Sequence, residues 1–221
     1  SETVKLDQIT GNLYGDKENI KLTADKGNFD RKDAKVHLED NVVVDTSSGA
    51  KLTTDSLDWD RKNQLVTTKD PVQIEHKDML TTGKGITGKP DLKQVTLESD
   101  VKVQLKPEEQ NNKKSDKPAT KIDISCEGPL QIDYDKNLAT FSKNVLVDRG
   151  DLKIYCDLMD IYFIGEDKKN PDSLKASDNP MAGNKIDKIV ARGNVKIVRG
   201  DNTSYSEEAI YSGIDKKISL T

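Results

Sequence analysis

Apolar residues recur at every second position along short stretches of this chain, with polar residues between them. Val42 and Val44 follow this period, as do Ile122, Ile124 and Cys126, then Val145 and Val147, then Leu152, Ile154 and Cys156. Asp123, Ser125 and Lys153 fill the gaps. A period of two belongs to a strand whose one face is buried and whose other face is wet. Val, Ile and Thr are abundant, as strands prefer. No stretch sustains a helical period, and a single helical turn over residues 16–19 is the weak exception.

The strands come in repeats. Asp40-Asn41-Val42-Val43-Val44 returns as Asp70-Pro71-Val72-Gln73-Ile74, Ser99-Asp100-Val101-Lys102-Val103, Lys143-Asn144-Val145-Leu146-Val147 and Gly193-Asn194-Val195-Lys196-Ile197. Each copy reads as a polar turn followed by apolar-x-apolar. Successive copies lie 30, 29, 44 and 50 residues apart. The two long intervals hold polar insertions at 106–118 and 166–185, with the composition of loops. Without them a unit of roughly thirty residues persists through the chain. Inside it, Leu22-Thr23-Ala24-Asp25 matches Leu52-Thr53-Thr54-Asp55, Phe29 matches Trp59, and Val36 matches Val66. The charged turns Asp30-Arg31-Lys32-Asp33 and Asp60-Arg61-Lys62-Asn63 have counterparts at 133–137 and 213–217. A unit is thus strand, short bend, strand, charged turn, strand.

Short strands with one apolar face must cover that face. Two facing sheets or one folded sheet do so, and each repeat then adds a rung along one axis. Composition agrees with thin layers: 33% of the 221 residues are charged, 33% are hydrophobic, and mean hydropathy is −0.75. Net charge is −4 with the signs interspersed, which leaves no basic footprint for nucleic acid. No apolar run approaches the ~20 residues that span a bilayer. The chain opens on SETVKLDQIT with no signal peptide, so a trimmed, mature form is expected.

The string Leu-Thr-Ala-Asp-x3-Phe-Asp, the charged turn, and Val-x-Leu-x-Asp-Asn-Val-x-Val resemble the OstA/LptA/LptC group of lipopolysaccharide-transport proteins. Ala191-Arg192-Gly193-Asn194-Val195-Lys196-Ile197 resembles that group's Gly-Asn-Val element. The resemblance spans about residues 2–221. Residues 1–105 look LptC-like, 106–121 form a polar insertion, and 122–221 look OstA/LptA-like with a second insertion at 166–187. The whole is expected to be one continuous roll, either an LptC–LptA fusion or a long LptC. The resemblance implies an all-β, antiparallel β-jelly-roll open at both ends. It also implies a periplasmic, non-enzymatic part of the bridge that carries lipopolysaccharide from inner to outer membrane, with an inner-membrane anchor outside this sequence. Its implied partners are lipid A acyl chains, other jelly-rolls of the transport system joined end to end by strand addition, and an inner-membrane ABC transporter.

The interior that would line such a lipid path is Leu22, Phe29, Val42, Val44, Leu52, Trp59, Val72, Ile74, Ile124, Ile132, Val145, Val147, Ile154 and Phe163. Each serves equally well as plain core in a two-layer β domain. A structural or adhesive repeat protein is therefore the competing reading, with a carbohydrate-active β-helix enzyme behind it. The terminal strands, at residues 4–13 and about 205–220, are expected to be sheet edges open to strand addition. No catalytic set, metal site or cofactor motif stands out. His37 and His76 lack zinc partners at a ligand spacing and read as solvated strand positions. Asp58-Trp59-Asp60 lacks the rest of a calcium loop, and Gly83-Lys84-Gly85 is too short for a phosphate loop. Cys126 and Cys156 sit one repeat apart, which leaves two readings: a disulfide between neighbouring repeats, or two buried free thiols.

Overall fold

The computed structural model describes residues 3–14, 19–76, 79–105, 121–163, 186–212 and 217–221. These form fourteen antiparallel strands in one sheet. They are β1 (Thr3–Tyr14), β2 (Asn19–Asp30), β3 (Lys35–Thr46), β4 (Ala50–Asp60), β5 (Leu65–His76), β6 (Met79–Gly88), β7 (Gln94–Leu105), β8 (Ile122–Cys126), β9 (Leu130–Asp133), β10 (Leu138–Arg149), β11 (Leu152–Phe163), β12 (Ile186–Arg199), β13 (Asn202–Ser212) and β14 (Lys217–Leu220). Each strand pairs with its neighbours in sequence, except that β8 and β9 share one place between β7 and β10. The chain forms the antiparallel sheet expected from the alternation and the jelly-roll that the resemblance implies. The insertions, the helical turn proposed before Asn19 and the last charged turn at 213–216 lie outside the described residues. β12 begins at Ile186, just inside the second expected insertion.

The repeated Asp-Asn-Val element is not a turn between strands. It lies inside β3, β10 and β12, at a shift of register halfway along each strand. Asp40 and Asn41 (φ 61° and 53°), Lys143 and Asn144 (66° and 51°) and Gly193 and Asn194 (74° and 49°) occupy the left-handed region. Asn enters that region more readily than most residues. A pair of such residues bulges and bends a strand while its neighbours keep it paired. The side chain of each Asn then holds the kink to the adjacent strand. Nδ2 of Asn41 donates to Asp25, that of Asn144 to Glu127 and that of Asn194 to Asp157, at 2.7–2.8 Å. In β5 the place is taken by Asp70-Pro71, where the Asp70 N–H donates to Thr68 Oγ1 and the Asp70 carboxylate accepts from Ser56.

The kinks divide each strand into a near arm, beside the charged turns at 31–34 and 61–64, and a far arm. Inward-facing residues step over the kink in two ways. In β3, β7, β10 and β12 they skip four positions, as from Leu38 to Val42 or from Phe141 to Val145. In β2, β4 and β11, which run the other way, they skip three, as from Thr54 to Leu57 or from Cys156 to Met159. The rung made of β8 and β9 skips four, from Cys126 to Leu130. That extra residue separates it into two strands, at a junction holding Gly128 (φ 103°) and a cis Gly128–Pro129 bond. An added side chain at Gly128 would strike the Glu98 and Ser99 backbone.

Pairing strings the inward residues into rows that cross the sheet. One near-arm row runs through Phe29, Val36, Trp59, Val66, Gly88, Val95, Ile132, Ala139, Ile161 and Ile189. One far-arm row runs through Leu22, Val44, Leu52, Ile74, Thr81, Val103, Ile124, Val147, Ile154 and Ile197. Most of both rows belongs to one core cluster. The expected C-terminal edge over 205–220 is in fact two strands. β14 pairs with β13 only at Ala209–Ser212, so the edge runs along the first part of β13 and then along β14.

Candidate functional site

Among the described residues, two cavities are bordered by both arms. The smaller, about 20 Å³, is lined by Leu13, Ile20, Leu22, Val44 and Leu52 from the far arm and its end, by Leu57, Trp59 and Val66 from the near arm, and by Pro90 and Leu92. Leu52 and Leu57 belong to the same strand on opposite sides of its kink, so the two arms of β4 face each other here. The lining is apolar, and a space this size holds about one water at most. Trp59 Nε1 is buried there without a hydrogen-bond partner, which is unusual for an indole N–H. Arg61 covers the ring from 5.5 Å.

The larger cavity, about 380 Å³, is lined by Ala50, Ile74, Met79, Leu92, Val95, Ile132 and Tyr134 on its apolar side. Its polar lining comes from Ser47, Ser48, His76, Thr81, Asp91 and Lys93. His76 is buried rather than solvated, and its Nε2 donates to the Ser48 carbonyl at 3.2 Å. Burial pushes the Tyr134 phenol up to about 12, so it stays neutral. Leu92 lines both cavities, and its turn at 89–93 brings its side chain between the arms. It does so at φ 58°, a conformation strained for a bulky residue. Its N–H donates to the Lys89 carbonyl at 2.9 Å, which holds the turn closed.

Of the expected interior, Leu22, Val44, Leu52 and Trp59 line the smaller cavity, and Ile74 and Ile132 the larger. Val42, Val72, Ile124, Val145 and Phe163 are buried in the core, while Val147 and Ile154 pack against it half-buried. Phe29 is half-buried and lines neither cavity. Sequence reasoning passed over Leu92, which sits in a Pro-Asp-Leu-Lys turn. Its only signal was an isolated large apolar residue in an otherwise polar turn. Thr81 was passed over because Thr reads equally well on either face of a strand.

The cysteines are both free and buried. One repeat is two strands, so β10 stands between Cys126 of β8 and Cys156 of β11. Two interstrand spacings amount to about 10 Å, beyond the ~7 Å a disulfide tolerates. The bridge between neighbouring repeats is therefore not formed. Burial pushes the Cys156 thiol up to about 12.

Polar networks sit on the outside of the sheet. His37 Nδ1 lies 2.6 Å from Asp58 Oδ1 and its Nε2 lies 2.9 Å from Glu39 Oε1. The Asp58 contact first, then Glu39, raises the imidazole pKa above its ordinary value. Arg192 bridges Asp160 (2.6 Å) and Glu208 (3.1 Å), and Thr140 donates to Asp160 at 2.7 Å. This network ties β10 to β13 across four strands. Among the described residues no group of three His, Cys, Asp or Glu could hold a metal ion.

A single antiparallel sheet of kinked strands with an apolar interior is consistent with the jelly-roll fold of the lipopolysaccharide-transport proteins. Residues 1–106 match the family described as lipopolysaccharide-assembly, LptC-related, and residues 129–221 match the family described as LptA/(LptD N-terminal domain) LPS transport protein. No curated protein matches the chain. The chain belongs to the lipopolysaccharide-transport proteins of the LptC and LptA kind, with an LptC-like first half and an LptA-like second half. The boundary between the two matches leaves no seam in the sheet, because β8 and β9 both pair with β7 on one side and β10 on the other.

Proposed function

We propose that this lipopolysaccharide-transport protein carries its cargo by holding acyl chains between the two arms of the roll. The observation that carries the reading is the pair of cavities, lined by inward rows from both arms. Each CH₂ withdrawn from water contributes ~0.8 kcal/mol, so an apolar interior is enough to hold a chain and no covalent step is needed. The fourteen interior residues named from the sequence are the proposed contacts, with Leu92 added between the cavities. The chain works in the periplasm, between an inner-membrane ABC transporter and the outer membrane.

The edges give it its neighbours. β1 and β14 each pair on one side only, and Tyr14, Ile218 and Leu220 on them are exposed. Unpaired edge N–H and C=O groups accept another strand. Another jelly-roll of the transport system added there would continue the interior from one protein to the next.

Photocrosslinking tests the interior. A photoreactive residue at Trp59, Val72 or Val145 should label lipopolysaccharide, and one at outward-facing, exposed Lys102 should not. Labelling from Lys102 with none from the other three would sink the reading.

A further inference from the structure

Four threonines are buried among the described residues: Thr46, Thr54, Thr68 and Thr81. Three of them satisfy their hydroxyls within the protein. Thr46 bonds Ser48 and the Ala50 backbone, Thr54 Oγ1 donates to the Pro71 carbonyl at 3.0 Å, and Thr68 Oγ1 accepts from the Asp70 N–H at 3.1 Å. Thr81 is 1% exposed, and its hydroxyl is closed off from solvent without any partner. It stands in the far-arm row between Ile74 and Val103, where the surrounding positions are aliphatic. Val has the same shape and would fill the place without an unsatisfied oxygen. An orphan hydroxyl in a packed sheet calls for an explanation. Thr81 also lines the larger cavity, whose volume of about 380 Å³ lies in the range of small-molecule sites.

We propose that this cavity binds an acyl chain of the transported lipid that carries an oxygen, as a hydroxyl or an ester, and that Thr81 Oγ1 is its hydrogen-bond partner. The inference rests on the acyl-chain reading of the interior and adds a chemical preference to it. Ile74, Met79, Val95 and Ile132 supply the apolar wall for the chain. Ser47, Ser48 and Lys93 lie on the same cavity and suit the polar end of an amphiphile. The Thr81 hydroxyl is occluded in its present rotamer, and a third of a turn about χ1 to another staggered position would bring it to the cavity wall without moving the backbone.

Calorimetric titration of the full chain with tetradecanoate and 3-hydroxytetradecanoate tests this. The protein should bind the hydroxylated chain about three- to tenfold more tightly, the range of one added neutral hydrogen bond. Thr81→Val should abolish that preference by weakening the hydroxylated ligand alone, with an unfolding temperature no lower than that of the native chain. Thr81→Ser should keep the preference. Lipid A should displace the hydroxylated chain, and should do so less well from Thr81→Val. Equal affinity for the two fatty acids, or a preference that survives Thr81→Val, would each overturn the Thr81 contact while leaving the conduit standing; no displacement by lipid A would overturn both. Binding of neither fatty acid would remove the conduit reading as well.

Discussion

Around Leu52 and Val66 the interior borders a cavity of about 20 Å³; Phe141 and Met159 are fully buried and line neither described cavity. Both cavities are lined by residues no later in the chain than Tyr134. In the second half the inward rows carry Phe141, Met159, Ile161 and Phe163, all buried, with Ala139, Ala191 and Ala209 beside them in the same rows. Large residues facing small ones interdigitate and close a core. The first half carries Phe29, Trp59 and Gly88 in its near-arm row and Thr81 in its far-arm row, and both cavities border these rows. Kinks, pairing and alternation are the same in both halves. What differs is where large and small side chains fall along the rows, on one shared backbone plan.

The largest effect that separates the halves should come from Phe141→Ala. Removing a fully buried Phe from a filled interior costs about 3–5 kcal/mol, measured by urea unfolding. A loss under about 1 kcal/mol would mean that the interior around Phe141 is loosely filled. Leu92→Ala should cost less, at or below about 2 kcal/mol, because two cavities already border the side chain. It should also join those cavities and raise the uptake of an apolar dye. A cost equal to that of Phe141→Ala would erase the contrast.

The kinks should respond alike in the two halves. Asn41→Val and Asn144→Val each force a β-branched residue into the left-handed region and each remove a bond to a neighbouring carboxylate. Each should cost about 1–2 kcal/mol on the same unfolding assay. A cost confined to one half would break the shared backbone plan.

The smallest effect belongs to His37, on the outside of the first half. Its folded pKa is raised above the ordinary 6.5, first by Asp58 and then by Glu39. Its contribution is therefore complete below that ordinary value and disappears as pH rises through the folded one. His37→Gln should lower the unfolding midpoint at about pH 5 and leave it unchanged at about pH 9. A deficit that grows with pH would contradict the ion pairs.

Much of the roll was legible from the residues in order. Alternation at Ile122, Ile124 and Cys126 marked the strand and its inward face, and the Asp-Arg-Lys turns marked the reversals at 31–34 and 61–64. Asp40-Asn41 was legible as a break in the period but not as a kink. A turn and a bulge use the same residues, and only the neighbouring strands, through Asp25 and the ladder on either side, keep the chain going forward. The cysteines misled for a related reason. One repeat apart in sequence is two strands apart in the sheet, and Val145 pairs with Cys156 on the strand that lies between them.

The order of polar and apolar side chains by itself determined the strands, their wet and dry faces and the repeat, because a period of two is a local property of the backbone. Tertiary structure alone decided where the strands bend, that Leu92 stands between two cavities and that Thr81 is left without a partner. Those outcomes depend on the volumes and polar atoms of side chains that meet across the fold from distant parts of the chain, and no local period records them.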